Sequence, residues 1–143
     1  MNKTVNGTIS VRGKDKELLD KMLYDKIKNI IIKDKQYKNP DYSAKQLAKD
    51  IQIAPSLLAY ILRKYFKESY SCLVNRYRIK DACKYLTDEK KRNYSVDDIS
   101  VLVGFSNRQS FFSAFRNFVG TSPNLYREKY TKEKETSKES NSK

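Results

Sequence analysis

The sequence predicts an all-α protein of about seven helices: two helix-turn-helix subdomains joined by a long linker helix, homeodomain-like in architecture. Three observations predict it. Apolar residues recur at i, i+3 or i+4, and i+7 along most of the chain. Four Gly and three Pro in 143 residues are too few for a turn-rich β fold. Finally, the stretch Gly104–Tyr126 places Phe111, Phe115 and Phe118 on one helical face and Asn107, Arg108, Gln109, Ser113 and Arg116 on the other. Gly104, free of a Cβ penalty, supplies the turn from a preceding short helix over 95–103.

Residues 1–14 are polar, with two glycines and no helical period, and read as a flexible arm. From Asp15, the spacing of Leu18, Leu19, Met22, Leu23, Ile27, Ile30 and Ile31 predicts an amphipathic helix with a wide buried stripe, reaching about Lys35. Pro40 breaks it, because the residue before a proline is pushed out of the α region. Ser43 opens the next helix, with Gln46 completing a capping box and Leu47, Ala48 and Ile51 facing inward. After a turn at 52–54, Pro55 takes the first position of a helix, where its missing N–H costs nothing. Leu58, Ile61, Leu62 and Tyr65 form its buried side.

A longer helix is predicted over 70–86, with Leu73, Tyr77, Ile79, Ala82, Cys83 and Leu86 as core candidates. Thr87–Tyr94 is a charged loop, and Ser95 caps the following helix. Gly120 is a helix stop, and Ser122-Pro123 starts a last helix to about Tyr130. The expected organisation is a flexible arm at 1–14, a first subdomain with linker helix at 15–86, a second at 87–130, and a disordered tail at 131–143. The tail is Lys-, Glu- and Ser-rich without apolar anchors.

An internal repeat supports the two-subdomain reading. Leu47-Ala48-x-x-Ile51 matches Ile99-Ser100-x-x-Val103 at a separation of 52, and Leu58, Leu62 and Tyr65 match Phe111, Phe115 and Phe118 at 53. One extra residue in the second turn accounts for the change. Ala48 and Ser100 are small where two crossing helices approach closely.

Formal net charge is +13, of which the last thirteen residues carry +1, so the basicity belongs to the folded part. A polyanionic partner follows, either nucleic acid or an anionic membrane surface. The absence of His and of any close Cys pair excludes the usual metal sites, and no cofactor motif is present. Cys72 and Cys83, eleven residues apart in an apolar helical pattern, read as buried free thiols. No nucleophile–base constellation or Gly-rich phosphate loop supports an enzyme. The N-terminus lacks a signal-peptide apolar region and no apolar run approaches a membrane span, so a cytoplasmic protein without a membrane partner is expected.

The stretch GFSNRQSFFSAFRNFVGTSPNLYR resembles the signature of AraC/XylS-type transcription regulators: a GF turn, core aromatics, a Gly, and an SP-x-x-YR ending. The resemblance extends upstream through DDISVLVGF, NRYRIKDACKYL and YSAKQLAKDIQIAPSLLAYILRKYF, covering about residues 40–130. It implies a DNA-binding domain whose two recognition helices enter successive major grooves on one face of double-stranded DNA. For a regulator of that kind, RNA polymerase is a further candidate partner. Two departures stand out. Gln52 and Lys67 occupy positions where glycine is common, and Ser113 and Tyr60 occupy positions where members often place arginine.

The base-reading candidates of the second unit are Asn107, Arg108, Gln109, Ser110 and Ser113, since Arg pairs with guanine and Asn or Gln with adenine in the major groove. Phe112 has two open readings, a thymine-methyl contact or a subdomain packing contact. Ser56, Ala59 and Tyr60 occupy the corresponding face of the first unit. Phosphate candidates are Ser43 and Ser95 at helix starts, and Arg63, Lys64 and Arg116, with Lys90, Lys91 and Arg92 as a solvated charged loop. The expected function is a sequence-specific DNA-binding transcription regulator, stand-alone without a sensor domain and monomeric, with a dimer still open. The alternative is a protein-interaction module that modulates another transcription regulator.

Overall fold

The computed structural model describes the backbone of residues 13–141, so the arm expected at 1–14 lies outside the described residues except for Gly13 and Lys14. The fold is all-helical, with seven α-helices and no strand among the described residues: α1 Gly13–Lys28, α2 Ala44–Asp50, α3 Pro55–Ile61, α4 Tyr70–Leu86, α5 Val96–Val103, α6 Arg108–Val119 and α7 Pro123–Asn141. Wider π turns extend α1 over Asn29–Lys33 and α3 over Leu62–Phe66.

Two compact units emerge, one of residues up to Asp34 with Ser43–Tyr70, the other of Lys35–Tyr42 with Ser71 onward. This division differs from the boundary expected at 86/87. The linker helix α4, apart from its first residue, groups with the second unit, because the apolar side of its C-terminal half is spent there. Ile79, Ala82 and Leu86 join Ile99, Val103, Phe105, Phe111, Ala114 and Phe115 in one buried cluster.

In the first unit α1 and α2 pack on α3. Buried Leu47, Ala48, Leu58, Ile61 and Leu62 match the sequence expectation, whereas Tyr65 is only half-buried. The stripe of α1 is narrower than predicted. Leu23, Ile27 and Ile31 are buried, but Leu18, Leu19 and Met22 are 60%, 48% and 52% exposed. Asp20 takes the inward position one turn before Leu23, accepting from the Tyr65 hydroxyl at 3.0 Å, with the Lys64 ammonium at 3.6 Å. A buried carboxylate needs such partners. Ser43 caps α2 by accepting from the Gln46 N–H at 3.0 Å. The reciprocal half of the expected capping box is missing, because the Gln46 side-chain amide donates instead to Asp50 at 2.7 Å.

In the second unit, residues 35–42 form a strap carrying a short 3-10 turn, Gln36–Lys38, which packs on α5. Arg78, buried on α4, donates to the carbonyls of Tyr37 and Asn39, and the Tyr37 hydroxyl donates to Asp81. Burial first, then that carboxylate, pushes the Tyr37 hydroxyl pKa up. Phe118, expected in the core, is 36% exposed, and Ala114 faces inward in its place. Cys72 and Cys83 are free but half-buried, rather than buried as expected.

The SP-x-x-YR ending has a structural meaning. Pro123 is fully buried, and Tyr126 meets Phe115 edge-on at 5.6 Å. Arg127 donates to the Leu86 carbonyl at 3.1 Å, an acceptor that the end of α4 leaves open, and to the Tyr94 carbonyl in the loop before α5 at 2.7 Å. Helix α7 continues through Asn141 where disorder is expected from 131. Lys and Glu are good helix formers, and a helix already nucleated and anchored pays no second nucleation cost. The Glu128–Lys132 pair at 3.4 Å and an ion pair from Lys134 to Glu89 accompany that extension.

Candidate nucleic-acid interface

Both helix-turn-helix turns are built alike. The Ile53 N–H donates to the Ala48 carbonyl and the Phe105 N–H to the Ser100 carbonyl, each at 3.0 Å. Gln52 and Gly104 hold the positive-φ position, at 58° and 113°. These pairs are 52 residues apart, and the helix caps that follow, Ala54 and Asn107, are 53 apart. The repeat seen in the sequence is therefore a repeat of backbone geometry.

In α6, the buried face is locked by aromatic packing: Phe111 lies 5.3 Å from Phe105 and 5.8 Å from Phe115, ring centroid to centroid. That leaves Gln109, Ser110, Ser113 and Arg116 exposed on the other side, as expected. Asn107 spends its side-chain oxygen as the N-cap, accepting from the Ser110 N–H at 2.8 Å, so only its amide N–H groups remain to donate. Arg108 is held twice. Its Nη1 donates to both Asp97 oxygens, at 2.9 and 3.2 Å, and its guanidinium lies 4.6 Å from the Phe112 ring centre. Phe112 is half-buried against the aromatic core, 5.7 Å from Phe111. It thus sits between the core and Arg108.

In α3, Ser56, Ala59 and Arg63 are exposed, and Tyr60 is half-buried. Lys64 is drawn to α1 rather than left free. It donates to the Tyr60 hydroxyl at 3.1 Å, lies over the Tyr65 ring and neighbours Asp20. The Tyr60 hydrogen bond leads the causes that raise its pKa.

The two helix starts differ. The first turn of α2 holds no acid. That of α5 holds Asp97 and Asp98, and Ser95 and Asp98 satisfy each other's N–H at 2.9 Å. Such carboxylates stabilise the helix start but repel a phosphate. Sequence reasoning missed Asp97. Its only signal is a carboxylate at the second position of a helix, which reads as ordinary dipole complementation. Among the described residues no cluster of metal-ligating side chains occurs, and no helix is long and apolar enough to cross a membrane.

Two repeated helix-turn-helix units with exposed polar second helices define a DNA-binding protein of the helix-turn-helix class. A helix-turn-helix domain model matches residues 47–129, more than half of the chain, which therefore belongs to the AraC-type family of DNA-binding transcription regulators. Solved structures agree in fold. The C-terminal domain of AraT, a response regulator from Geobacillus stearothermophilus, matches with a TM-score of 0.63 at 21% identity, over 78% of this chain and 84% of that one. A DNA-binding transcriptional dual regulator from Escherichia coli K-12 matches with a TM-score of 0.63 at 23% identity, over 77% and 93%. A Listeria innocua protein of unknown function matches with a TM-score of 0.63 at 25% identity, over 71% and 94%. No curated protein matches the chain.

Proposed function

We propose that this chain reads duplex DNA by itself, as a monomeric, non-enzymatic regulator needing no metal or cofactor, with unequal work from its two units. The observation that carries this reading is the exposed polar face of α6, set on a rigid aromatic core. Arg108, Gln109, Ser113 and the Asn107 amide read bases there, and Arg116, a turn later, meets phosphate. The first unit supplies mainly affinity. Residues 43–70 carry five Lys or Arg against two Asp or Glu, whereas residues 95–121 carry two Arg against two Asp. Ser43 and Arg63 contact phosphate, while Ser56, Ala59 and Tyr60 add a weaker base contact. The carboxylates beside Ser95 make it the weakest of the phosphate candidates, and the tether of Lys64 to α1 makes it the next weakest. Such a regulator acts in the cytoplasm, beside the DNA and with RNA polymerase as its onward partner.

Selection from a randomised duplex pool, followed by titration in salt, tests this. Two enriched blocks are expected, the stronger one lost in Arg108→Ala, which costs about 1–3 kcal/mol on the preferred site. Arg63→Ala is expected to weaken preferred and random duplexes alike and to flatten the salt slope by about one. The protein-interaction alternative has one observation in its favour, the exposed Leu18, Leu19 and Met22 on α1. An unenriched pool with uniform, steeply salt-sensitive binding would select it.

A further inference from the structure

The Asp97–Arg108 ion pair adds little to the fold. Asp97 and Arg108 are both more than half exposed, and water screens an ion pair of that kind so that it contributes little to stability. It also sets a carboxylate among the groups that would face a polyanion, at a local cost in DNA affinity. We infer that Asp97 is a positioning residue for base reading: with Phe112 as platform, it holds Arg108 ready for a guanine and keeps it off the phosphates. This inference rests on the DNA-reading function proposed above.

The geometry supports this step by step. A free arginine side chain samples many rotamers, an entropy that recognition must otherwise spend on ordering it. Here the stem is short of freedom before DNA arrives, because the guanidinium is paired to Asp97 and lies over a ring that is itself packed on Phe111. Asp97 engages Nη1 alone. The edge formed by Nε and Nη2 keeps two parallel donors, the pair that matches guanine O6 and N7. A phosphate, which any sequence supplies, can take the same two donors, but it brings a negative charge against the Asp97 carboxylate, whereas the guanine edge is neutral. A guanine can be read without releasing the pair. The carboxylate thus penalises the wrong contact more than the right one, which is how specificity is raised by repulsion.

The test uses the full chain, its preferred duplex and a random duplex, in a double-mutant cycle of Asp97→Asn and Arg108→Ala. Asn is nearly isosteric, and Asp98 still closes the capping box with Ser95, so α5 keeps its start. Asp97→Asn is expected to lower the preferred-to-random affinity ratio about three- to tenfold, chiefly by tighter binding to random DNA, within the range of coupling between touching residues. Its salt slope on random DNA is expected to steepen by up to about one phosphate contact. In the Arg108→Ala background the same substitution is expected to leave the ratio unchanged, and Asp97→Glu to restore part of it. An unchanged ratio in Asp97→Asn, or the same change with and without Arg108, overturns the inference while leaving DNA reading intact. A wild-type chain with no preferred sequence removes the proposed function, and the inference with it.

Discussion

The two helix-turn-helix units share a backbone turn but reach it with different chemistry. Gln52 sits at φ 58°, in the small left-handed well that an L residue can enter for about 1–2 kcal/mol. Gly104 sits at φ 113°, beyond that well, and a Cβ there would meet the Lys38 carbonyl oxygen at 2.7 Å. The difference comes from the strap at 35–42, which packs against the second turn. The cores differ too. The buried residues of the first unit's helix-turn-helix are aliphatic, Leu47, Ile51, Leu58, Ile61 and Leu62, whereas the second adds the rings of Phe105, Phe111 and Phe115. The lesson is that a turn glycine is demanded by what lies over it as much as by its dihedral angle.

That comparison can be broken most sharply in the aromatic core. Phe111→Ala is expected to cost about 3–5 kcal/mol, whereas Phe118→Ala, at a position already 36% exposed, costs under ~1 kcal/mol. Denaturant unfolding of both variants checks it, and equal losses would mean that α6 buries its other face. Next in size is the turn pair. Gly104→Ala combines a forbidden φ with overpacking, for about 2–4 kcal/mol in all. Gln52→Gly relieves strain but adds chain entropy, so it stays within about 1 kcal/mol of wild type. A thermal melt in which both substitutions destabilise equally would remove the strap from the explanation.

The helix starts give the smallest effects. Ser95→Ala, which opens a reciprocal capping box, is expected to cost about 1 kcal/mol, and Ser43→Ala, with one cap bond, less. The pH dependence follows the same asymmetry. Hydrogen bonds from the Ser95 N–H and hydroxyl hold the Asp98 carboxyl below its ordinary pKa. Its contribution is therefore full above the ordinary carboxylate range and is lost as pH falls through and below about 3.9. Comparing wild type with Asp98→Asn in melts at pH 6 and pH 3 checks this: the gap between them is expected to narrow in acid.

Much of the site was legible because it is periodic. The spacing of Phe111 and Phe115 fixes which side of α6 is buried, and so leaves Gln109, Ser113 and Arg116 outside. Periodicity could not place Phe118 or the α1 stripe, because a helix of two or more turns offers more apolar positions than its neighbours can cover. Leu18, Leu19 and Met22 satisfy the pattern yet stay largely exposed among the described residues, while Asp20, a charge, is taken inward by Tyr65 and Lys64.

What the sequence determined by itself is everything local: helix periods, the Ser43, Ser95 and Pro55 starts, the two turns, and the family signature. Each depends on residues within a few positions of one another, where spacing and side-chain chemistry are sufficient. The tertiary structure decided whatever joins distant residues. It put the strap at 35–42 and α4 into the second unit, made Gly104 a close contact, and brought Asp97 to Arg108 across the turn. Those pairings depend on how helices cross, and crossing is set by packing in three dimensions, which no one-dimensional period records.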